Sequence, residues 1–154
     1  MIFRPPHLTD IVGVAAKMRA ADAAECRAAG HDDLLHVLEE GVEHSTMARA
    51  ALIDDQVACI WGVRPAGTML TPIGVPWMLG TDLVPQHRRL LLGYAGDAIK
   101  RMLALYPILI NFVHCENAQA VRWLKWAGFT LAPAAPYGPS GALFHRFEMR
   151  APNV

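Results

Sequence analysis

Apolar positions change their period as this chain proceeds, and each change marks a different kind of element. Ile2 to Arg4 reads as a short strand stopped by Pro5 and Pro6. Ile11, Val14, Ala15 and Met18 then recur at helical spacing, with Thr9 as the predicted N-cap and Asp10 in the first turn. An alanine-rich helix is predicted from Asp22 to Ala29, ended by Gly30. A third begins near Asp32, carries Leu34, Leu35 and Leu38 on one side, and ends around Ser45. Ala48 to Ile53 and Val57 to Val63 then read as strands flanking Asp54-Asp55-Gln56, a hairpin signal. After a predicted loop from Pro65 to Pro72, Gly74 to Leu83 reads as a third consecutive strand.

Helical spacing returns from Pro85 to Tyr106, through Leu90, Leu91, Tyr94, Ala98, Met102 and Leu105. Ile108 to Cys115 is nearly all apolar, as expected of a strand covered on both faces. Ala118 to Ala127 is helical with Gly128 at the C-cap, and Phe129 to Leu131 and Leu143 to Met149 read as closing strands around a Pro/Gly-rich loop. Three meandering strands followed by strand–helix alternation predict an α/β fold, a mixed central sheet with helices on both faces. No repeat or linker divides the sequence, so residues 1–154 are expected to form a single domain.

Composition narrows the function classes. Hydrophobic residues make up 53% of the 154 and charged residues 18%, which is enough to build a sizeable core. The formal net charge is zero, so there is no strong nucleic-acid signal and partners must be met through local patches. Neither a signal stretch nor a membrane segment is read, since Pro107 interrupts the apolar run near Met102 to Val113. Cys26, Cys59 and Cys115 are odd in number and widely spaced, which fits a reducing compartment and synthesis in a cytoplasm.

The element order is similar to that of the GNAT N-acyltransferases, and Asn117-Ala118-Gln119-Ala120 through Gly128-Phe129 resembles a signature of that fold. Asn117 is expected to cap a helix, Ala120 to pack closely, and Gly128 to turn the chain into a strand. A narrower resemblance adds Gly74 to Asp82, His87-Arg88-Arg89, Arg122 to Phe129, Pro136 to Gly141 and Phe144 to Met149. Together these look like a bacteriophage family, the internal virion protein A-like proteins, a divergent branch of the GNAT fold.

The resemblance implies a coenzyme A cleft where the strand near Gly74 to Leu83 splays from that near Ile108 to Cys115. It implies a cofactor set of Arg88, Arg89, Gly93 and Asn117. Glycines in such a loop let backbone N–H groups approach a pyrophosphate at a helix N-terminus. Here Leu91 stands where the first glycine is expected, and is predicted to obstruct that site. Leu124 stands where the family's acid tyrosine would be, leaving Tyr137 as a replacement acid and Asp82 and Glu116 as candidate bases.

These departures imply a degenerate acetyl-CoA site. They favour a phage accessory protein, packaged in the virion or acting in its assembly, with a phage or host protein as partner. No cofactor is then expected, although acetyl-CoA or coenzyme A would bind if the site is retained. The alternative is an N-acetyltransferase acting on an amine of a small molecule or protein. No metal site is read, because His31, His36 and His44 lack the usual adjacent spacing. His114 and Cys115 fall on opposite strand faces and do not form a nucleophile pair. Trp123 and Trp126 are expected to serve packing or a protein contact.

Overall fold

A computed structural model describes residues 1–153. The chain opens with strand β1 (Ile2–Arg4) and helix α1 (Leu8–Ala16). The helix starts earlier than Thr9 because Asp10 turns back to accept the His7 N–H at 2.7 Å, making His7 the N-cap. Helix α2 spans Ala20–Ala28 and α3 spans Leu34–Glu43, the latter capped by Asp33, which accepts the His36 N–H at 3.0 Å.

Strands β2 (Met47–Ile53) and β3 (Gln56–Gly67) follow, with β4 at Pro72–Gly80. Asp54 and Asp55 both take positive φ (48° and 60°), so two residues turn this hairpin and Gln56 already pairs with Ile53. The loop expected from Pro65 shrinks to Thr68–Thr71, because β3 runs on to Gly67. Pro65 is tolerated there since β2 begins at Met47, opposite Val63, and no strand faces the missing N–H.

The helix expected from Pro85 divides into α4 (Leu83–Gln86) and α5 (Arg88–Leu105), separated at His87. Strand β5 spans Ile108–His114 and helix α6 spans Ala118–Ala127, ended by Gly128 in the left-handed region at φ 99°. Short strands β6 (Thr130–Leu131) and β7 (Ala135–Tyr137) precede the long β8 (Ala142–Arg150). β7 lies within the stretch read as a loop, since its prolines and glycines mask three residues of pairing with β8.

All strands join one mixed sheet in the order β1-β2-β3-β4-β5-β8-β6, with β7 also on β8. Both faces are covered. Ile11, Val14, Leu38 and Leu79 pack with Ile60 beneath α1–α3, while Ile99, Met102, Leu109 and Val113 pack with Leu124 and Phe147 beneath α5 and α6. No helix among the described residues is long and apolar enough to cross a membrane.

The seam between β4 and β5 positions the site. As expected, the two strands run side by side and then part. They pair in parallel only at Ile73–Ile108 and Gly74–Leu109, whereas β5 pairs with β8 from Ile108 to His114. The parting has a local cause: Pro76 has no N–H to continue the ladder, and the Asn111 side chain donates to the Pro76 carbonyl at 2.8 Å instead. A cleft of about 730 Å³ opens along this gap.

Candidate active site

Helix α2 closes the far end of the gap. Asp22 and Glu25 share one face of α2, and Arg19 at its N-cap joins them at the ends of β4 and β5. The Arg19 backbone N–H donates to the Gly80 carbonyl at 2.8 Å, and the Gly80 N–H donates to Asp22 at 3.0 Å. The end of β4 thus pairs with α2 where β5 would otherwise lie. Gly80 is also tightly packed against α4 and β3, where a Cβ would meet Val84 at 2.6 Å and the Ala58 carbonyl at 3.1 Å.

Arg19 and Asp22 are both buried and form a two-pronged ion pair at 2.6 and 3.1 Å, and Arg19 also donates to Gln119 at 2.5 Å. The network reaches β5 through Glu25, whose Oε2 accepts the His114 backbone N–H at 2.8 Å. The Asn117 amide donates to both Asp22 and Glu25 at 3.3 Å. Asn117 therefore stands at the N-cap position of α6 without capping it; its side chain is spent on the carboxylates. Its Oδ1 is buried with no hydrogen-bond partner among the described residues, a cost of about 1–3 kcal/mol unless a bound group supplies a donor.

Burial pushes the Glu25 carboxyl up to about 7. The Asp22 charge adds to this, while the hydrogen bonds from His114 and Asn117 and the Arg19 charge hold it back. A carboxyl poised near neutrality in a cleft can both take and return a proton. The other shifted groups are inert by comparison. Cys26 and Cys59 are buried thiols pushed up to about 12.

The edge of β4 facing the gap is only partly used. Alternation in the β3–β4 ladder turns the backbone groups of Pro76, Met78 and Gly80 toward β5. Pro76 and Gly80 are engaged by Asn111, Arg19 and Asp22, which leaves the Met78 N–H and C=O between them. Beyond β4, the first helical bond of α5 runs from the Leu91 N–H to the His87 carbonyl at 3.1 Å. The N–H groups of Arg88, Arg89 and Leu90 precede it, giving an electropositive helix end.

The residues singled out from sequence divide between the cleft and its surroundings. Arg88, Asn117 and Tyr137 line the cleft. Tyr137 lies on β7, stacked on Phe112 at 4.1 Å and 15°, and tilted against Phe144 at 5.1 Å. Leu91 also lines the cleft, with its side chain packed inward on Ala51, Cys59 and Val84.

Arg89 and Gly93 are exposed on α5 outside that lining, and a Cβ on Gly93 would touch nothing within 4 Å. Asp82 begins α4 and faces a separate depression beside Lys17 and Gln56, while Glu116 is exposed in the turn after β5. Leu124 is buried in the core with Phe129 and Phe147. The two tryptophans part company, Trp123 packing on the core and Trp126 being 64% exposed. Of the two roles expected for these rings, core packing or a protein contact, the first is met by Trp123 and is ruled out for Trp126, whose helix face points to solvent.

Arg19, Asp22 and Glu25 went unnoticed in the sequence. The available signal was their three-residue spacing in an otherwise alanine-rich helix that also carries Cys26.

Known structures share this architecture. An acetyltransferase of the GNAT family from Streptococcus pneumoniae superposes with a TM-score of 0.63 at 11% identity, over 97% of this chain and 98% of that one. An aminoglycoside N(6')-acetyltransferase from Legionella pneumophila gives 0.71 at 11% identity, over 97% and 91%. The protein yncA from Salmonella typhimurium, solved with its cofactor acetyl-CoA, gives 0.66 at 11% identity, over 100% and 95%. No protein-family model and no curated protein matches the sequence. The chain has the fold of the GNAT acetyltransferases.

Proposed function

We propose that this protein transfers an acyl group from acetyl-CoA to an amine, with Glu25 accepting the proton that the amine gives up. The observation that carries this reading is the Glu25 carboxylate held by the His114 N–H at 2.8 Å and the Asn117 amide at 3.3 Å where β4 and β5 part, with burial pushing it up. The surrounding residues fit the cofactor. Arg88 and the free N–H groups at the start of α5 would hold phosphates, and Arg49 and Arg101 add positive charge to the cleft lining. The Met78 N–H and C=O would pair with an amide-bearing arm, and the orphaned Asn117 Oδ1 offers an acceptor.

Acetyl-CoA would supply the acyl group as an activated thioester. Glu25, held by the His114 N–H and the Asn117 amide, takes the amine proton when ionised. Tyr137 carries a hydroxyl that can return a proton to a departing thiolate. Glu25→Gln keeps an oxygen for both donors and removes the base. Thiol release from acetyl-CoA in the presence of an amine panel should fall about 10²–10⁴-fold in this variant. The remaining rate should lose its rise through pH 7. An unchanged rate and pH profile would refute the role of Glu25.

A second reading is a phage accessory protein made in the host cytoplasm and packaged in the virion or acting in its assembly, with a phage or host protein as partner. It is supported by the motif resemblance from Gly74 to Met149, by Leu91 in place of a glycine and by Leu124 in place of the acid tyrosine. It requires the cofactor cleft to be degenerate. Mass spectrometry of purified virions, paired with calorimetry of the protein against acetyl-CoA, tests it. Recovery in virions without cofactor binding would replace the enzymatic reading.

A further inference from the structure

The cleft has two sides, and they differ in chemistry. Alternation along β4 turns Met78 toward the Cys59–Val84 cluster beneath α4 and α5, and Trp77 toward the core beneath α1–α3. The cofactor reading above uses the α5 side. The α2–α3 side is bounded by Trp77, Phe112, Tyr137 and Phe144, with Glu25 at one end. Phe112 precedes His114 by two residues on the same strand face. Its ring therefore lies roughly 7 Å along the strand from the N–H that holds Glu25.

Phe112 stacks on Tyr137 and Phe144 tilts against it, yet Tyr137 stays 39% exposed and borders the cleft. The platform and the carboxylate are braced together. In the turn after β7, Ser140 donates to the Ala28 carbonyl at 3.1 Å, and the Gly138 backbone lies against Ala28 and Ala29 at the end of α2.

Charge limits what can bind there. Of the carboxylates in the lining, Asp22 is neutralised by Arg19 and Asp97 belongs to α5, which leaves Glu25 for a cation on the α2–α3 side. Arg64 flanks the same wall, paired with Val75. A polycation would meet one free carboxylate and an arginine. A single ammonium beside aromatic faces gains both the ion pair and cation–π attraction.

Resting on the acyl-transfer reading, we propose that the acceptor is a primary amine on a short tether from an aromatic ring. Its nitrogen meets Glu25 and its ring packs on the exposed part of Tyr137. Ionised Glu25 first takes one proton from the bound ammonium, which frees the nitrogen lone pair. That pair forms the new bond to the acyl carbon as the carbon–sulfur bond breaks, and the proton then lost from nitrogen passes by way of Tyr137 to the departing sulfur.

The test is calorimetry at pH 8 with 2-phenylethylamine, butylamine and spermidine, without acetyl-CoA, followed by thiol release from acetyl-CoA with the same amines. 2-Phenylethylamine should bind about tenfold or more tighter than the other two. Tyr137→Ala should remove that preference and Tyr137→Phe should keep it, circular dichroism confirming that both variants fold. Equal binding of the three amines, or a preference that survives Tyr137→Ala, would overturn the proposal. So would rapid transfer to spermidine with 2-phenylethylamine inert, although acyl transfer itself would then stand. Tyr137-dependent binding with no amine acetylated would leave the recognition in place and overturn the transfer reading.

Discussion

The two ends of the candidate site are built in opposite ways. At the start of α5, Arg88 and Arg89 stand exposed beside backbone N–H groups with no partner in the helix, and a Cβ on Gly93 would touch nothing within 4 Å. Within α2, every charged group facing the gap is bonded. Arg19 reaches Asp22 and Gln119, Asp22 reaches the Gly80 N–H, and Glu25 reaches the His114 N–H. The sparse end can admit a large anion because nothing of the chain's own satisfies it. The dense end holds one carboxyl in a fixed place and sets its proton affinity. Binding and proton transfer ask for these different constructions.

The strongest way to break the dense end is to remove its keystone. Asp22→Ala leaves Arg19 buried without its counter-ion and the Gly80 N–H without an acceptor. Removing one partner of a buried pair typically costs about 3–5 kcal/mol, so urea denaturation should show a loss of that size. A loss below about 1 kcal/mol would mean that water reaches Arg19 and that the network is not a closed unit.

Glu25→Gln should act in the opposite direction on stability. A carboxyl raised from 4.5 to about 7 in the folded state binds its proton more tightly there than in the unfolded chain. Its stabilising contribution is full below pH 4.5 and is lost as pH rises through about 7. The wild-type protein should therefore fall by up to about 3 kcal/mol relative to Glu25→Gln across that window. Parallel denaturation curves at pH 4.5 and pH 8 measure the difference. Curves that stay parallel in both proteins would show that Glu25 titrates as an ordinary surface carboxyl.

At the sparse end, Arg88→Ala should leave stability unchanged and weaken acetyl-CoA binding by roughly tenfold, the effect of one lost charge-assisted contact. Arg89→Ala should do less, since Arg89 lies outside the cleft lining. Equal effects of the two would mean that diffuse positive charge, and not the placement of Arg88, holds the cofactor.

What sequence could reveal follows the same division. The helix–strand order was legible because periodicity and turn residues are local signals, whereas the parting of β4 from β5 was expected only from the family resemblance. At the α5 end the resemblance pointed to Arg88, which does line the cleft. Arg19, Asp22 and Glu25 were not legible, because their meaning depends on partners far along the chain: Gly80, His114 and Asn117. Alanine-rich helices ordinarily carry their charges outward, and only the sheet's parting turns this face inward. The same lack of tertiary context made Asn117 look like a side-chain cap, and it hid that Asp82 faces a separate depression and that Glu116 is exposed in a turn. Leu91 illustrates the converse. Read as bulk over a phosphate site, it packs into the Cys59–Val84 cluster while still bordering the cleft.

The smallest effect concerns α6, which connects to the dense end through Asn117 and Gln119. Its tryptophans separate the helix face that supports the site from the face that does not. Trp123 packs beside Leu124, Phe129 and Phe147, and it also borders the cleft. Trp126 is 64% exposed, so its truncation removes little buried area and leaves no cavity. Trp126→Ala should shift the unfolding free energy by no more than about 0.5 kcal/mol, against about 3 kcal/mol for Trp123→Ala if that ring packs as a core residue. Emission from Trp126 should sit near the solvent limit, and its loss should leave a bluer average from Trp61, Trp77 and Trp123. A large destabilisation on removing Trp126, at protein concentrations where the chain self-associates and not at lower ones, would locate it in an interface between copies. Equal destabilisation at every concentration would instead mean that α6 is buried on both faces, contrary to the geometry described above.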